Sequence, residues 1–271
     1  MNPREFDVGE FARTARGSLR DELDLTSLAA TPLAPDVVTA LEALRELEGA
    51  TMAHLRNVLV TPTHKDARVT AFLVTWAFEK FWIADALGLI VAASGGGEAT
   101  STGLTDPPAP RRGIRPARGP VRRAFAGFTQ GESIVGAHTT VGLVDDWVLH
   151  EIYERVSSDA SVGSAVAEAL APIVAVKARH TAFFQAESRR RLAASPRAAR
   201  LARRELRGSP WPLGAAVVDP QRLRAVARFT WSGPIGTQRL GSLERRIAAL
   251  PGIGTSGAST VGASLARDAS D

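Results

Sequence analysis

The sequence predicts an all-α fold built around four long helices, and three observations predict it. Apolar residues recur at three- and four-residue spacing over four long stretches. Proline, glycine and capping residues fall between those stretches. A long Gly/Pro-rich connection separates the second stretch from the third, whereas short turns join the first to the second and the third to the fourth. Short turns favour antiparallel neighbours, and a single long connection is a crossover.

In chain order, residues 1–34 read as an N-terminal arm with a short helix around Phe6 to Leu23. Pro35-Asp36 opens the first core helix, which runs to about Val60. Pro62 ends it, and Thr63 or Asp66 caps the second, which runs to about Ala93. Ser94 to Pro120 carries Gly95-Gly96-Gly97, Pro107-Pro108, Pro110, Pro116 and Pro120, so residues 94–120 are expected to be a flexible connection. The third helix spans about Ser133 to Ser157. The fourth starts at Asp159 or Ser161 and reaches about Ala194, with Pro172 predicting a kink or a late start. These four stretches define a core over 35–194.

A C-terminal extension over 195–250 follows. It comprises a basic helix to about Arg207, a Pro-Trp-Pro turn at 210–212, and helices over Asp219 to Phe229 and Gly236 to Leu250. The extension is expected to pack back through Trp211, Leu213 and Trp231. Residues 251–271 are small and polar, and disorder is expected there.

Composition narrows the chemistry. With 271 residues, 45% hydrophobic and 23% charged, the chain can bury one generous core. It has no cysteine, which excludes disulfides, thiolate metal sites and cysteine nucleophiles. The N-terminus lacks an apolar h-region, so no signal peptide is read and a cytoplasmic location is expected. The apolar stretch Val69 to Ala93 is interrupted by Glu79, Lys80 and Asp85, so a membrane is excluded as a partner. The formal charge of +5 is carried almost wholly by arginine, and Lys65, Lys80 and Lys177 are the only lysines. Arg189-Arg190-Arg191 and Arg197, Arg200, Arg203, Arg204 and Arg207 recur along helices and could track phosphates. No aromatic residue interleaves with them, so nucleic acid is not the expected partner.

The informative residues break the rule that charge lies opposite an apolar stripe. Glu48 interrupts the stripe Leu41, Leu44, Thr51, Leu55, Val58. Glu79 sits among Phe72, Trp76, Ile83 and Ala86. Val144 and Trp147 lead to Glu151 and Glu154. Val174, Thr181 and Phe184 flank Lys177 and His180, with Glu187 beyond. Each has a plain structural alternative: a stripe edge for Glu48, an ion pair for Glu79, a surface pair with Arg155 for Glu151, a hydrogen-bonded core histidine for His180. Jointly they place a polar group from every core helix in one interior. His54, His64, His138 and His150 lack ligand spacing, and Asp145-Asp146 reads as an exposed side. No phosphate loop and no G-x-S-x-G elbow is present.

On these residues the stretch 36–194 resembles the ferritin-like di-iron carboxylate superfamily, a four-helix bundle with a long crossover between helices 2 and 3. That family sets a Glu on two helices and Glu-x-x-His on the other two. Glu48, Glu79 and Glu151 match glutamate positions and His180 a histidine position. Trp82 replaces a histidine and Lys177 a glutamate. The resemblance implies a remodelled site, with Glu48, Glu79, Glu151 and His180 as metal ligands and Lys177 as a catalytic base or nucleophile. The expected cofactor is one Fe or Mn ion, or none if Lys177 and His180 neutralise the carboxylates. The function implied is a metal-dependent oxidase or oxygenase acting on a small apolar organic molecule; the alternative is a noncatalytic helical binding protein. Trp76, Trp82, Ile83, Trp147 and Phe184 would line an apolar cavity or simply pack the core. A small-molecule ligand and a homodimer are the partners left open.

Overall fold

The computed structural model describes residues 6–95 and 131–270, and among these the regular structure is helical, with no strand. The expected flexible connection lies, from residue 96 onward, outside the described residues. Two short helices, α1 (Val8–Arg13) and α2 (Leu25–Ala29), form the N-terminal arm. The first core stretch is divided into α3 (Pro35–Gly49) and α4 (Thr51–Leu59). The break follows from Thr51, whose hydroxyl donates to the Glu48 carbonyl at 2.7 Å, a local bond that competes with continued helix. Asp66 then caps α5 (Ala67–Ala93) by accepting from the Val69 N–H at 3.0 Å.

Next come α6 (Ser133–Ser157) and α7 (Ser164–Ala194). Pro172 lies inside α7, which begins at Ser164, later than Asp159 or Ser161. The C-terminal extension holds α8 (Pro196–Gly208), α9 (Pro220–Trp231) and α10 (Gly233–Ala248). Residues expected to be disordered form α11 (Gly254–Ser270). The correction has a physical cause. Ala258, Val261 and Leu265 share one buried face, and the small residues on it permit close packing on α9 and α10. A Cβ at Gly262 would collide with the Glu244 side chain.

Helix α3 packs on α5, α6 packs on α7, and the two pairs meet through α3–α6 and α5–α7. The arm closes over this core with Phe11, Leu19 and Leu28 buried. Helix α8 lies along α6, and α9 lies against α3. As expected, Trp211 and Trp231 are buried, and Leu213 packs against the apolar cluster to which they belong. No helix among the described residues is long and apolar enough to cross a membrane.

The core divides into two apolar clusters; α5, α6 and α7 each contribute to both, and the first core stretch does so through α3 on one side and α4 on the other. Phe72, Trp76, Leu143, Val144 and Phe183 belong to one. Leu41, Leu44, Ile83, Leu87, Ile152 and Ile173 belong to the other. Each such buried side chain contributes roughly 1.5–3 kcal/mol. Along the sequence, the buried residues Glu48, Glu79, Lys80, Lys177 and His180 fall where each core stretch passes from one cluster to the other, and Asp145 and Asp146 lie within one turn of that change on α6. The fold thus carries a polar layer between two apolar ones.

Candidate polar site in the helical core

Glu48 on α3 is the hub. Its Oε2 lies 2.9 Å from the Lys80 Nζ on α5, and its Oε1 lies 3.0 Å from the Lys177 Nζ on α7. The Tyr153 hydroxyl on α6 donates to Oε1 at 3.3 Å. The Lys177 Nζ also lies 2.7 Å from Asp146 Oδ1 on α6, and the Thr181 hydroxyl donates to Asp146. Two ammonium groups therefore face two carboxylates, and the cluster is electrically balanced. The Lys80 ammonium also lies 4.9 Å from the centre of the Trp76 ring.

The electrostatics follow from this pairing. Burial alone would raise the Glu48 carboxyl, but Lys177 and Lys80 outweigh it and hold the group at about 2. Burial would lower Lys177; Asp146 and Glu48 reverse that and push it above its ordinary value. The Tyr153 hydroxyl is raised by burial and by the Glu48 charge. A lysine held protonated in this way lacks the free amine that a base or nucleophile needs.

Glu79 and His180 form a second unit. The His180 Nε2 lies 2.7 Å from Glu79 Oε2, with both side chains fully buried. The Arg16 backbone N–H donates to Glu79 Oε1 at 2.8 Å, and the Arg179 guanidinium lies 3.5 Å from the same oxygen. Arg179 also donates to the Phe11 and Thr14 carbonyls, tying the arm across the pair. Burial lowers His180, against the pull of the Glu79 hydrogen bond.

Asp145 belongs to a third unit, beside a small cavity. It accepts a hydrogen bond from the Leu213 N–H at 2.7 Å, so the C-terminal extension closes onto the core here. The cavity, ≈ 20 Å³, is lined by His54, Trp76, Lys80, Asp145 and Leu213, a volume that fits about one water. Gly214 forms its edge with φ +86°; a Cβ there would strike Ala50 at 2.9 Å. Burial pushes Asp145 up to about 6, against Lys80, the Leu213 N–H and Lys177. Burial, aided by Lys80, brings His54 down to about 4. His138, whose Nδ1 lies 2.8 Å from the Thr63 hydroxyl, is brought by burial and by His54 to about 3.

The seven residues singled out in the sequence separate into groups, and Glu154 stands apart on the surface, 3.8 Å from His150. Glu48 meets Lys177, and Glu79 meets His180. Glu151 joins neither: its carboxylate faces Arg239 at 3.4 Å and Arg246 at 3.3 Å from the C-terminal extension. Glu187 pairs with Arg68, Arg190 and Arg191. Among the described residues, no three carboxylate or imidazole side chains gather as a metal-holding group. Trp76, Ile83, Trp147 and Phe184 pack in the core, and Phe184 seats against Gly142, where a Cβ would lie 2.7 Å from the ring. Sequence reasoning missed Lys80, Asp145, Asp146 and Tyr153. The signal for the aspartates was α6 itself, whose residues from Val135 to Leu149 offer apolar or small side chains on every face and so no exposed side.

No family model, curated protein or solved structure matches this chain.

Proposed function

We propose that this chain is a noncatalytic helical binding protein on a ferritin-like four-helix plan, with the metal centre replaced by an internal lysine–carboxylate network. The observation that carries this reading is the clamp on Glu48: each of its oxygens faces a buried ammonium. A divalent ion bound there would sit within a few ångströms of two fixed positive charges in a poorly screened interior. Lys80 and Lys177 supply the charge that metal ions would otherwise supply. The pairwise packing of α3 with α5 and α6 with α7, with the long connection after α5, supports the ferritin-like plan. An Fe- or Mn-dependent oxidase would need Glu48, Glu79, Glu151 and His180 to share an ion, whereas Glu79 and His180 pair with each other and Glu48 and Glu151 pair elsewhere.

Elemental mass spectrometry after anaerobic loading with Fe(II) or Mn(II) tests this reading. The expected content is far below one ion per chain, with no change in melting temperature. About one ion per chain, lost in Glu79→Gln and His180→Ala, would overturn it in favour of a single-metal oxidase.

A further inference from the structure

A second set of unused polar groups lies outside the core network, where α9 and α10 meet the end of α6. An open groove there is walled by Arg155, Thr230, Arg239 and the first turn of α10. Helix α10 is 16 residues long, and no side chain caps its N-terminus: Ser232 occupies the cap position without making the bond. Pro234 has no N–H, and the remaining free N–H groups carry the positive end of the helix dipole. That alone describes many helices.

Thr230 supplies the independent observation. It is 1% exposed, lines the groove, and its Oγ1 has no hydrogen-bond partner. A buried hydroxyl is normally paired, so this one points to a missing acceptor. The Arg239 Nε on the same wall is also buried without a partner. Its terminal nitrogens make only long contacts, 3.4 Å to Glu151 and 3.4 Å to the Ser158 hydroxyl. Every unpaired group named here is a donor or can act as one.

Charge favours an anion too. Arg155, Arg239 and Arg246 stand against Glu151 and Asp159, leaving one positive charge in excess. Asp159 does not compete for the groove's donors, because its oxygens are taken by Arg155, the Ser161 N–H and the Ser161 hydroxyl. At the lip, Ile235 is 68% exposed beside Pro234, an apolar surface next to a polar floor.

We propose that this groove binds the phosphate of a phosphate monoester whose organic part rests on Ile235. A phosphate offers only acceptor oxygens, and the floor offers a hydroxyl, a guanidinium and helix N–H groups to meet them. The site is separate from the core network and does not depend on whether a metal binds there.

Isothermal titration of the full chain with phenyl phosphate, inorganic phosphate and sodium chloride at matched ionic strength tests the proposal. Saturable binding of phenyl phosphate is expected, several-fold tighter than inorganic phosphate, with no response to chloride. Thr230→Val should weaken it roughly tenfold, about the value of one hydrogen bond to a charged group. Ser232→Asp places a carboxylate over the same N–H groups and should abolish binding. Both variants should melt at or above the wild-type temperature, since one removes an unpaired hydroxyl and the other caps a helix. Phosphatidate vesicles form a second arm: binding to vesicles alone, lost in Ser232→Asp, would identify a lipid as the source of the phosphate. No saturable binding in either arm, or binding that both variants retain, would overturn the proposal.

Discussion

Two glutamates in this molecule are each held by several cations, and they differ in depth. Glu48 and its partners Lys80 and Lys177 have side chains at most 4% exposed. Glu187 is equally covered, but two of its partners, Arg68 and Arg190, are 31% and 59% exposed. Its bonds are as short: 3.0 Å to Arg68, 2.7 Å to Arg190 and 2.9 Å to Arg191. Geometry is therefore not what separates the two sites. Water shares the charge at Glu187, whereas at Glu48 protein groups alone must balance it. Losing one exposed arginine around Glu187 is therefore expected to cost little, and losing one lysine around Glu48 to cost much.

The largest expected effect breaks the deeper site. Glu48→Gln leaves Lys80 and Lys177 without their shared carboxylate, and Asp146 stays at ion-pair distance from Lys177 alone. Removing one partner of a buried ion pair costs about 3–5 kcal/mol, and a loss of that order is expected in urea unfolding. The combined change Glu48→Gln with Lys177→Met should recover part of the loss, because it removes one of the stranded charges. A cost below about 1 kcal/mol for the single change would mean that water reaches the cluster, and the contrast with Glu187 would disappear.

The next prediction uses Asp145, a carboxylate in the same layer without a lysine of its own at ion-pair distance. Its folded value of about 6 stands above its ordinary value. The folded state therefore binds more protons than the unfolded state between about pH 4 and 6, and the cost of ionising Asp145 is felt in full above that range. Asp145→Asn keeps an acceptor for the Leu213 N–H and removes this cost. Its advantage over wild type should grow from pH 4 to 6 and level off, reaching on the order of 2–3 kcal/mol at about 1.4 kcal/mol per unit. The other groups act in the opposite sense. Glu48, held at about 2, and His54 and His138, held at about 4 and 3, contribute stability that is lost as pH falls from their ordinary values down through these lowered ones. Urea melts of both proteins from pH 3 to 8 separate the contributions. An advantage for Asp145→Asn that stays flat with pH would show that Asp145 is ionised in the fold throughout.

The same comparison explains what the sequence made legible. The long helices could be read because their apolar spacing is set by burial, and Pro35, Asp66 and Ser195 mark ends that the fold uses. Glu48, Glu79, Lys177 and His180 could be read because each interrupts a stripe. Lys80 could not be placed from a stripe, because α5 is apolar around most of its circumference and no polar face marks an outer side. The separation of Glu151 from the other candidates was illegible for a related reason. The stripe of Glu151 with Val144 and Trp147 is real, but the end of α6 faces the C-terminal extension, whose arginines lie some 90 residues away in sequence. Likewise, nothing local to α6 announces that the Leu213 N–H will meet Asp145.

The smallest effects belong to the shallower site and sharpen the contrast through salt. Arg190 is more than half exposed, and Arg190→Ala should cost no more than about 0.5 kcal/mol. Glu187→Gln should cost more, about 1–2 kcal/mol, because Arg191 is only 12% exposed and keeps Asp66 as its remaining anion. Raising the salt to about 1 M shortens the screening length to about 3 Å, which weakens interactions that water can reach. The cost of Glu187→Gln should therefore shrink in high salt, while the cost of Glu48→Gln stays nearly constant because ions do not enter the layer between the two apolar clusters. Equal salt dependence at both glutamates would mean that depth does not separate them, and that the lysine clamp is as open to solvent as the arginine one.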